Sequence, residues 1–138
     1  MANNSIGLIE LSSIAAGFEV SDAMLKAANV SLLLARSICS GKYMVMVRGD
    51  VAAVEASVSA GISGGKFSVI GSLVIPNLHE AVFPAISGST KIEALEALGV
   101  LESFSVAALI EGADAAVKAA NVQVIEIAWP WRWVARPS

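Results

Sequence analysis

Cys39 is the only cysteine of the chain, and it lies in the segment Ser-Ile-Cys-Ser-Gly-Lys-Tyr at residues 37–43. The small residues after it indicate a tight turn between two apolar strands. A single thiol cannot form a disulfide within its own chain, and it cannot fill the coordination sphere of a metal ion. Cys39 is therefore either a small hydrophobic residue or one part of a site that other chains complete.

Other residues with catalytic chemistry are few. His79 is the only histidine, so neither a Ser-His-Asp arrangement nor a histidine–carboxylate metal site is supported. Its position favours a structural role at the start of a short helix, with a local hydrogen bond. The polar residues form no recognisable pair of acid and base and no activated nucleophile. We therefore predict that the protein is not an enzyme.

The composition argues against several classes of partner. The chain has 138 residues, of which 56% are hydrophobic and 15% are charged, and its net charge is −3. Its cations form no cluster that would neutralise phosphates, which argues against nucleic acid. No stretch of 18 or more residues is purely apolar, so we expect no membrane span. The lone cysteine and the absence of an export signal favour the cytoplasm. The low charged fraction, against about 25% in typical domains, favours burial between subunits.

The chain contains an internal repeat. Residues 7–30 (GLIELSSIAAGFEVSDAMLKAANV) align without a gap to residues 99–122 (GVLESFSVAALIEGADAAVKAANV), with a constant offset of 99 − 7 = 92 residues. Of the 24 aligned positions, 13 are identical, and four of the other eleven exchange Leu, Ile or Val for one another. This identity predicts a duplicated domain.

The first copy predicts an α+β unit of ferredoxin-like type. Apolar strands are expected at residues 6–11, 31–38, 43–48 and 67–75, and helices at residues 14–28 and from Asp50 to residue 60. Ser13 and Asp50 are predicted N-caps. A Gly/Ser loop is expected at residues 61–66, and a short helix at residues 79–85. The order β-α-β-β-α-β is that of the ferredoxin-like fold.

The second copy is predicted to be partial. We expect a complete domain at residues 1–86, a linker at 87–96, and a strand-helix-strand at 97–128, with strands near 97–102 and 122–128 and a helix near 106–120. The last ten residues, 129–138, match nothing in the first copy and include three tryptophans, Trp129, Trp131 and Trp133. One interpretation is that this tail is a frameshift product, because permissible codons regroup into a sequence like the expected hairpin.

Four stretches resemble the shell proteins of bacterial microcompartments: DAMLKAANV, its repeat ADAAVKAANV, residues 47–61 (VRGDVAAVEASVSAG) and residues 72–86 (SLVIPNLHEAVFPAI). The resemblance covers nearly all of residues 5–128. The duplication is similar to the tandem-domain members that form homotrimers of pseudo-hexagonal outline and assemble with other shell proteins. The resemblance implies a structural tile in a cytoplasmic microcompartment shell. It places the tile edges at the two KAAN motifs, namely at Lys26, Asn29, Lys118 and Asn121.

The hairpin segment RSICSGKY resembles the subgroup that carries an iron–sulfur cluster at the three-fold pore, as in propanediol-utilisation shells. The resemblance implies a pore loop of Ile38, Cys39, Ser40, Gly41 and Lys42. An iron–sulfur cluster normally takes four thiolates, so three Cys39 side chains around a three-fold axis would hold a 4Fe–4S cluster with a fourth ligand from outside. Such a pore would pass electrons or small metabolites. The alternative is a trimeric sensor or binding module for a small ligand on the same scaffold.

Overall fold

The computed structural model of the chain describes residues 3–129, without the side chain of Ser40. The chain divides into two compact units, Met1–Leu78 and His79–Ser138. Each unit is described by itself below.

The first unit is a four-stranded antiparallel sheet with helices. Along the chain it contains β1 (Ser5–Leu11), α1 (Ile14–Ala27), β2 (Ser31–Ile38), a 3-10 turn (Cys39–Gly41), β3 (Lys42–Gly49), α2 (Val51–Gly65), a second 3-10 turn (Lys66–Ser68) and β4 (Val69–Ile75). The strand order across the sheet is β2-β3-β1-β4, with every neighbouring pair antiparallel. This arrangement confirms the predicted ferredoxin-like α+β class.

Both predicted N-caps of the first unit are present. The Ser13 hydroxyl accepts the backbone N–H of Ala16 at 3.2 Å, and the Asp50 carboxylate accepts that of Ala53 at 2.8 Å. Each cap satisfies a backbone donor of the first turn that the helix itself leaves unpaired. The caps therefore fix where α1 and α2 begin.

The core of the first unit lies between the sheet and its two helices. Nine buried residues form one cluster that joins β1 and β3 to both helices. They are Ile9, Leu11, Val20, Met24, Tyr43, Val45, Val47, Val54 and Val58. The cluster explains why α1 turns Gly17, Val20 and Met24 inward, because these positions share one face at helical spacing.

The predicted end of α2 at residue 60 was wrong. The helix continues to Gly65, through the segment that the sequence assigned to a Gly/Ser loop. Gly61 and Gly65 are buried, and a Cβ at Gly61 would overlap Ile9 and Met24. These glycines allow close packing of the helix on the core, and the stability of that contact outweighs their low helix propensity. As a result, β4 starts at Val69 and not at residue 67.

The second unit contains α3 (Val82–Ser87) and α4 (Val106–Ala119). Ser105 caps α4 by accepting the N–H of Ala108 at 3.3 Å. The sequence assigned the segment of α3 to the first domain, 1–86, whereas the second compact unit contains it. Residues 89–96 of the predicted linker have no regular structure. Trp129 is buried, and its indole N–H donates to the backbone oxygen of Ile86 at 3.4 Å. The rest of the predicted tail lies outside the described residues.

The two strands predicted in the second copy were wrong: residues 97–102 and 122–128 are not strands. In the first unit, β1 is held between β3 and β4, and β2 is paired with β3. With the 92-residue offset, the copy of β3 would start at position 42 + 92 = 134, outside the described residues. A segment without a ladder partner has no backbone hydrogen bonds to hold it as a strand, whatever its propensity.

Candidate functional site

The loop between β2 and β3 is closed by strand pairing on both sides. Ile38 pairs with Lys42 across the hairpin, and Ser37 pairs with Tyr43. The intervening residues form a 3-10 turn, in which Gly41 has a φ of +70°. This left-handed conformation favours glycine, which explains the glycine in the segment. Ile38 is buried and Cys39 is exposed, so the turn presents the thiol outward from an anchored base.

The thiol of Cys39 is the only sulfur ligand that a chain could offer at this loop. Among residues 3–129, no group of three or more His, Cys, Asp or Glu side chains is placed to hold a metal ion. A Cβ at Gly41 would meet no atom within 4 Å, so the space beside the loop is open. Within residues 3–129, the loop therefore presents one exposed potential metal ligand, the Cys39 thiol.

The two KAAN motifs follow the same plan in both units. Lys26 lies in the last turn of α1 and Lys118 in the last turn of α4, and each motif's asparagine follows the C-cap of its helix. Both Asn29 and Asn121 are exposed. The two motifs therefore present a cation and an amide at the end of their helix.

The loop and the first KAAN motif lie at opposite ends of β3. The loop directly precedes Lys42, whereas the backbone oxygen of Asn29 lies beside Gly49, at the far end of the strand. Seven steps of about 3.3 Å along a strand correspond to about 23 Å. The structure therefore does not bring the predicted pore residues and the predicted edge residues together, and it separates them along the length of the sheet.

Asp114 is a structural residue that the sequence prediction missed. Its Oδ2 binds the Lys118 ammonium at 2.6 Å, and its Oδ1 accepts the backbone N–H of His79 at 2.7 Å. The His79 Nδ1 accepts the N–H of Ala81 at 3.2 Å, which confirms the local hydrogen bond predicted for this histidine. The only signal for Asp114 in the sequence was its identity with Asp22 in the other copy.

The same carboxylate–lysine pair is much more exposed in the first unit. Asp22 binds Lys26 at 2.7 Å, and the two side chains are 62% and 75% exposed. In the second unit, the Asp114 side chain is 12% exposed and that of Lys118 is 42% exposed. The same i, i+4 pair is therefore a solvated surface pair in the first unit. In the second unit it is partly buried, and its carboxylate also accepts the His79 N–H.

None of the helices in the part of the chain that the structure describes is long and apolar enough to cross a membrane.

Comparisons with known proteins all give matches to one kind of protein. Residues 5–78 and 97–130 match the BMC domain family. The chain is 47% identical over 125 residues to the bacterial microcompartment shell protein PduT of Citrobacter freundii, over 91% of this chain and 68% of that protein. It is 41% identical over 80 residues to the carboxysome shell protein CcmK2 of Thermosynechococcus vestitus, over 55% of this chain and 78% of that protein.

A solved structure of a microcompartment protein from Desulfitobacterium hafniense is also similar. The TM-score is 0.82 at 50% sequence identity, over 86% of this chain and 66% of that chain. This chain thus spans about two thirds of the length of these two relatives.

Proposed function

This chain belongs to the BMC domain family, as a tandem member with two matched segments, and we propose on that premise that it is a structural tile of a bacterial microcompartment shell. Three copies would form a homotrimer of pseudo-hexagonal outline, which joins other shell proteins at its edges. The observation that carries the proposal is the duplicated domain, together with 47% identity to a shell protein over 91% of the chain. In this role the chain assembles into the shell and lets electrons or small metabolites pass through its pore, without catalysis.

The geometry of the first unit supports this assignment. The Cys39 loop and the Lys26 motif lie at opposite ends of β3, about 23 Å apart. A tile needs one end of its domain at the central axis and the other at its rim. The loop end, with its small residues, suits a narrow central opening, and the lysine end suits contacts between tiles.

Electron microscopy of the purified protein tests the tile. We expect sheets or tubes with a regular repeat, since shell tiles associate through their edges. Discrete small particles at all concentrations would contradict the proposal and would favour the alternative, a trimeric small-ligand sensor on the same scaffold.

We further propose that the loop of the first unit holds a 4Fe–4S cluster in the trimer. Cys39 fits the role of one ligand, because it is exposed on an anchored turn beside open space. Three copies supply three thiolates, and the fourth position takes an outside ligand. When bound, the cluster would supply one-electron transfer across the shell. Ile38 anchors the loop in the core, and Gly41 provides the turn that presents the thiol.

Anaerobic reconstitution with iron and sulfide, followed by EPR after reduction, tests the cluster. We expect a signal from the wild type and none from Cys39→Ser. The matched control is a double variant that combines Cys39→Ser with Ser59→Cys, which restores one exposed thiol on α2 and should give no signal. A cluster signal of wild-type intensity in Cys39→Ser would end the proposal.

A further inference from the structure

The second unit presents a face whose counterpart in the first unit is covered. Gly7 of β1 lies so close to α2 that a Cβ at this position would overlap the side chains of Val54 and Val58. At the 92-residue offset its counterpart is Gly99, where a Cβ would meet no atom within 4 Å beyond its chain neighbours. The repeat therefore keeps a glycine that allows another element to approach closely, while no element among the described residues lies against it.

The helix of the second copy shows the same difference. The buried residues of α1 are Gly17, Val20 and Met24. Their counterparts on α4 are Leu109, Gly112 and Ala116. All three counterparts are only partly buried, because α4 buries its residues on a neighbouring face. We call these three residues, together with Gly99, the second-copy face.

The first unit shows what kind of segment covers such a face. β1 pairs with β3 on one side and with β4 on the other, and α2 packs against both β1 and α1. At the 92-residue offset, a second β3-α2-β4 segment would fall at positions 42 + 92 = 134 to 75 + 92 = 167. The PduT relative has about 125/0.68 ≈ 184 residues, so a tandem chain of that length includes it. The covering segment is therefore of β3-α2-β4 type.

One side chain of the second-copy face is larger than its counterpart in the first unit. Gly17 of α1 leaves room for the ring of Tyr43 from β3, and a Cβ at Gly17 would overlap that ring. The counterpart of Gly17 is Leu109, whose side chain would occupy the same room. Because protein cores are close-packed, a segment that fits this face has a small residue at the position of Tyr43.

Another side chain of the face is smaller than its counterpart. Met24 of α1 lies against Gly61 of α2, where an added Cβ would overlap it. The counterpart of Met24 is Ala116, which leaves space in front of the position of Gly61. A fitting segment therefore has a side chain larger than glycine at that position. The two differences run in opposite directions, so the second-copy face has a shape of its own.

We propose that the second-copy face is the docking site for a separate chain, namely the β3-α2-β4 half of a BMC domain with a small residue at the position of Tyr43 and a side chain at the position of Gly61. Docking would supply strand partners to residues 97–103 by strand addition, and the second domain would then be built from two chains. The inference goes beyond the proposed tile and does not depend on it, since it concerns how the second unit is completed and which side chains decide the fit.

A synthetic segment of residues 37–78, labelled at Cys39, provides the probe, because it is the β3-α2-β4 sequence that this protein contains. Its fluorescence anisotropy is followed as the full chain is added, to about 100 µM. We expect saturable binding, since strand pairing is available to the segment. The Tyr43→Ala segment should bind about tenfold more tightly than the unmodified one, because the ring would overlap Leu109. Hydrogen exchange of the full chain should show new protection at residues 97–103.

A double-mutant cycle tests the fit at Leu109. Leu109→Ala in the full chain should bind the unmodified segment more tightly than the wild type does, because room for the ring is restored. Combined with the Tyr43→Ala segment, it should bring no further gain, so the two effects should be strongly non-additive. Additive effects would overturn the size match.

The fit at Ala116 is tested from the side of the full chain. Ala116→Met restores the residue that faces Gly61 in the first unit, and it should tighten binding of the Tyr43→Ala segment. Ala119→Met is the matched control, because Ala119 is an exposed position of the same helix, and it should leave binding unchanged. Equal effects of the two substitutions would contradict the fit proposed at Gly61.

Two variants of the Tyr43→Ala segment make the test specific. Val54→Glu should abolish binding, because the counterpart of its contact at Gly7 is Gly99. Ile62→Glu changes an exposed residue of α2 and should bind as tightly as its parent. Circular dichroism confirms that the full-chain variants are folded. An absence of saturable binding, equal binding by Val54→Glu, or protection outside the second unit would overturn the inference. Regular sheets without binding would refute the docking site alone, whereas binding without sheets would refute the tile alone.

Discussion

Tyr43 packs directly against the backbone of α1 at Gly17. A Cβ at this glycine would overlap the Tyr43 ring, and the same ring lies 5.6 Å from the ring of Phe18, centroid to centroid. The absence of a side chain at residue 17 therefore allows the aromatic residue of β3 to reach the core cluster. In the second copy the equivalent position is Leu109, so this contact belongs to the first unit.

Gly17→Ala should destabilise the first unit. The gain in helix propensity is at most about 1 kcal/mol, whereas overpacking a filled core costs about 1–3 kcal/mol. We expect a net loss of about 1–2 kcal/mol in the free energy of unfolding, measured by urea denaturation. Gly64→Ala is the matched control, because its Cβ would lie in ordinary contact with Ala23 at 3.7 Å. It should be neutral or slightly stabilising, and a loss as large as that of Gly17→Ala would contradict the explanation.

Asp114→Ala and Asp22→Ala compare one carboxylate in two environments. Removing Asp114 leaves the His79 N–H without its acceptor, at a cost of about 1–3 kcal/mol. Removing Asp22 breaks an exposed i, i+4 pair worth about 0.3–0.5 kcal/mol. The measurements are thermal unfolding and the hydrogen-exchange rate of the His79 amide. Exchange at His79 should accelerate in Asp114→Ala only. Equal exchange rates in both variants would contradict the claim that Asp114, unlike Asp22, holds the His79 N–H.

At the residue scale, the sequence predicted what local chemistry determines. The turn at Cys39, the caps at Ser13 and Asp50, and the local bond of His79 each depend on a few adjacent residues. Asp114 could not be distinguished from Asp22 by sequence, because both occur in the same i, i+4 pattern. The difference between them arises from the His79 N–H that only Asp114 accepts, and His79 lies 35 positions from Asp114 in the sequence.

At the scale of elements, β1 and its copy show that an apolar, strand-like sequence does not form a strand unless a neighbouring strand pairs with it. Ile6, Leu8 and Ile9 are buried in β1, at 0–1% exposure, whereas Leu98, Val100 and Leu101 at the same repeat positions are 64–74% exposed. Leu101 still lies beside Gly112 on α4, at 3.6 Å from a Cβ built there. The copy thus keeps a position near its helix, but among residues 3–129 it has no partner strand. This is why apolar patterning alone predicted strands that the structure does not contain.

An added half-domain should convert this copy into a strand. We predict that a chimera in which residues 37–78 are fused again after Ala128 forms strands at 97–103 and 122–128. The reason is that the added segment supplies copies of β3 and β4. Hydrogen exchange should show protection of the amides at 97–103, and far-UV circular dichroism should show more strand.

The control for this chimera carries Val45→Glu and Val47→Glu in the added copy only. Both valines are fully buried in the first unit, so the charges should prevent pairing. Fast exchange at residues 97–103 in the unmodified chimera would contradict the view that these residues form a strand once partner strands are supplied.

At the scale of the whole molecule, the proposed tile depends on edges that the first unit presents. Lys26 is 75% exposed at the end of α1, far from the Cys39 loop. Lys26→Ala should reduce the extent and order of the sheets seen by electron microscopy, because a cation is removed from the proposed contact between tiles. Lys66→Ala, at another exposed lysine of the same unit, is the matched control. If Lys26→Ala forms sheets of unchanged extent and order, Lys26 does not contribute to the proposed contact between tiles.

Incorporation into an assembled shell tests the central claim most directly. A tagged copy of the chain is expressed together with a complete set of microcompartment shell proteins, and the shells are purified and washed at high salt. The account predicts that the tagged chain remains in the shell fraction at a constant ratio to the other shell proteins, whereas a tagged protein of unrelated fold does not. Recovery of the folded chain entirely outside the shells would contradict its role as a shell tile.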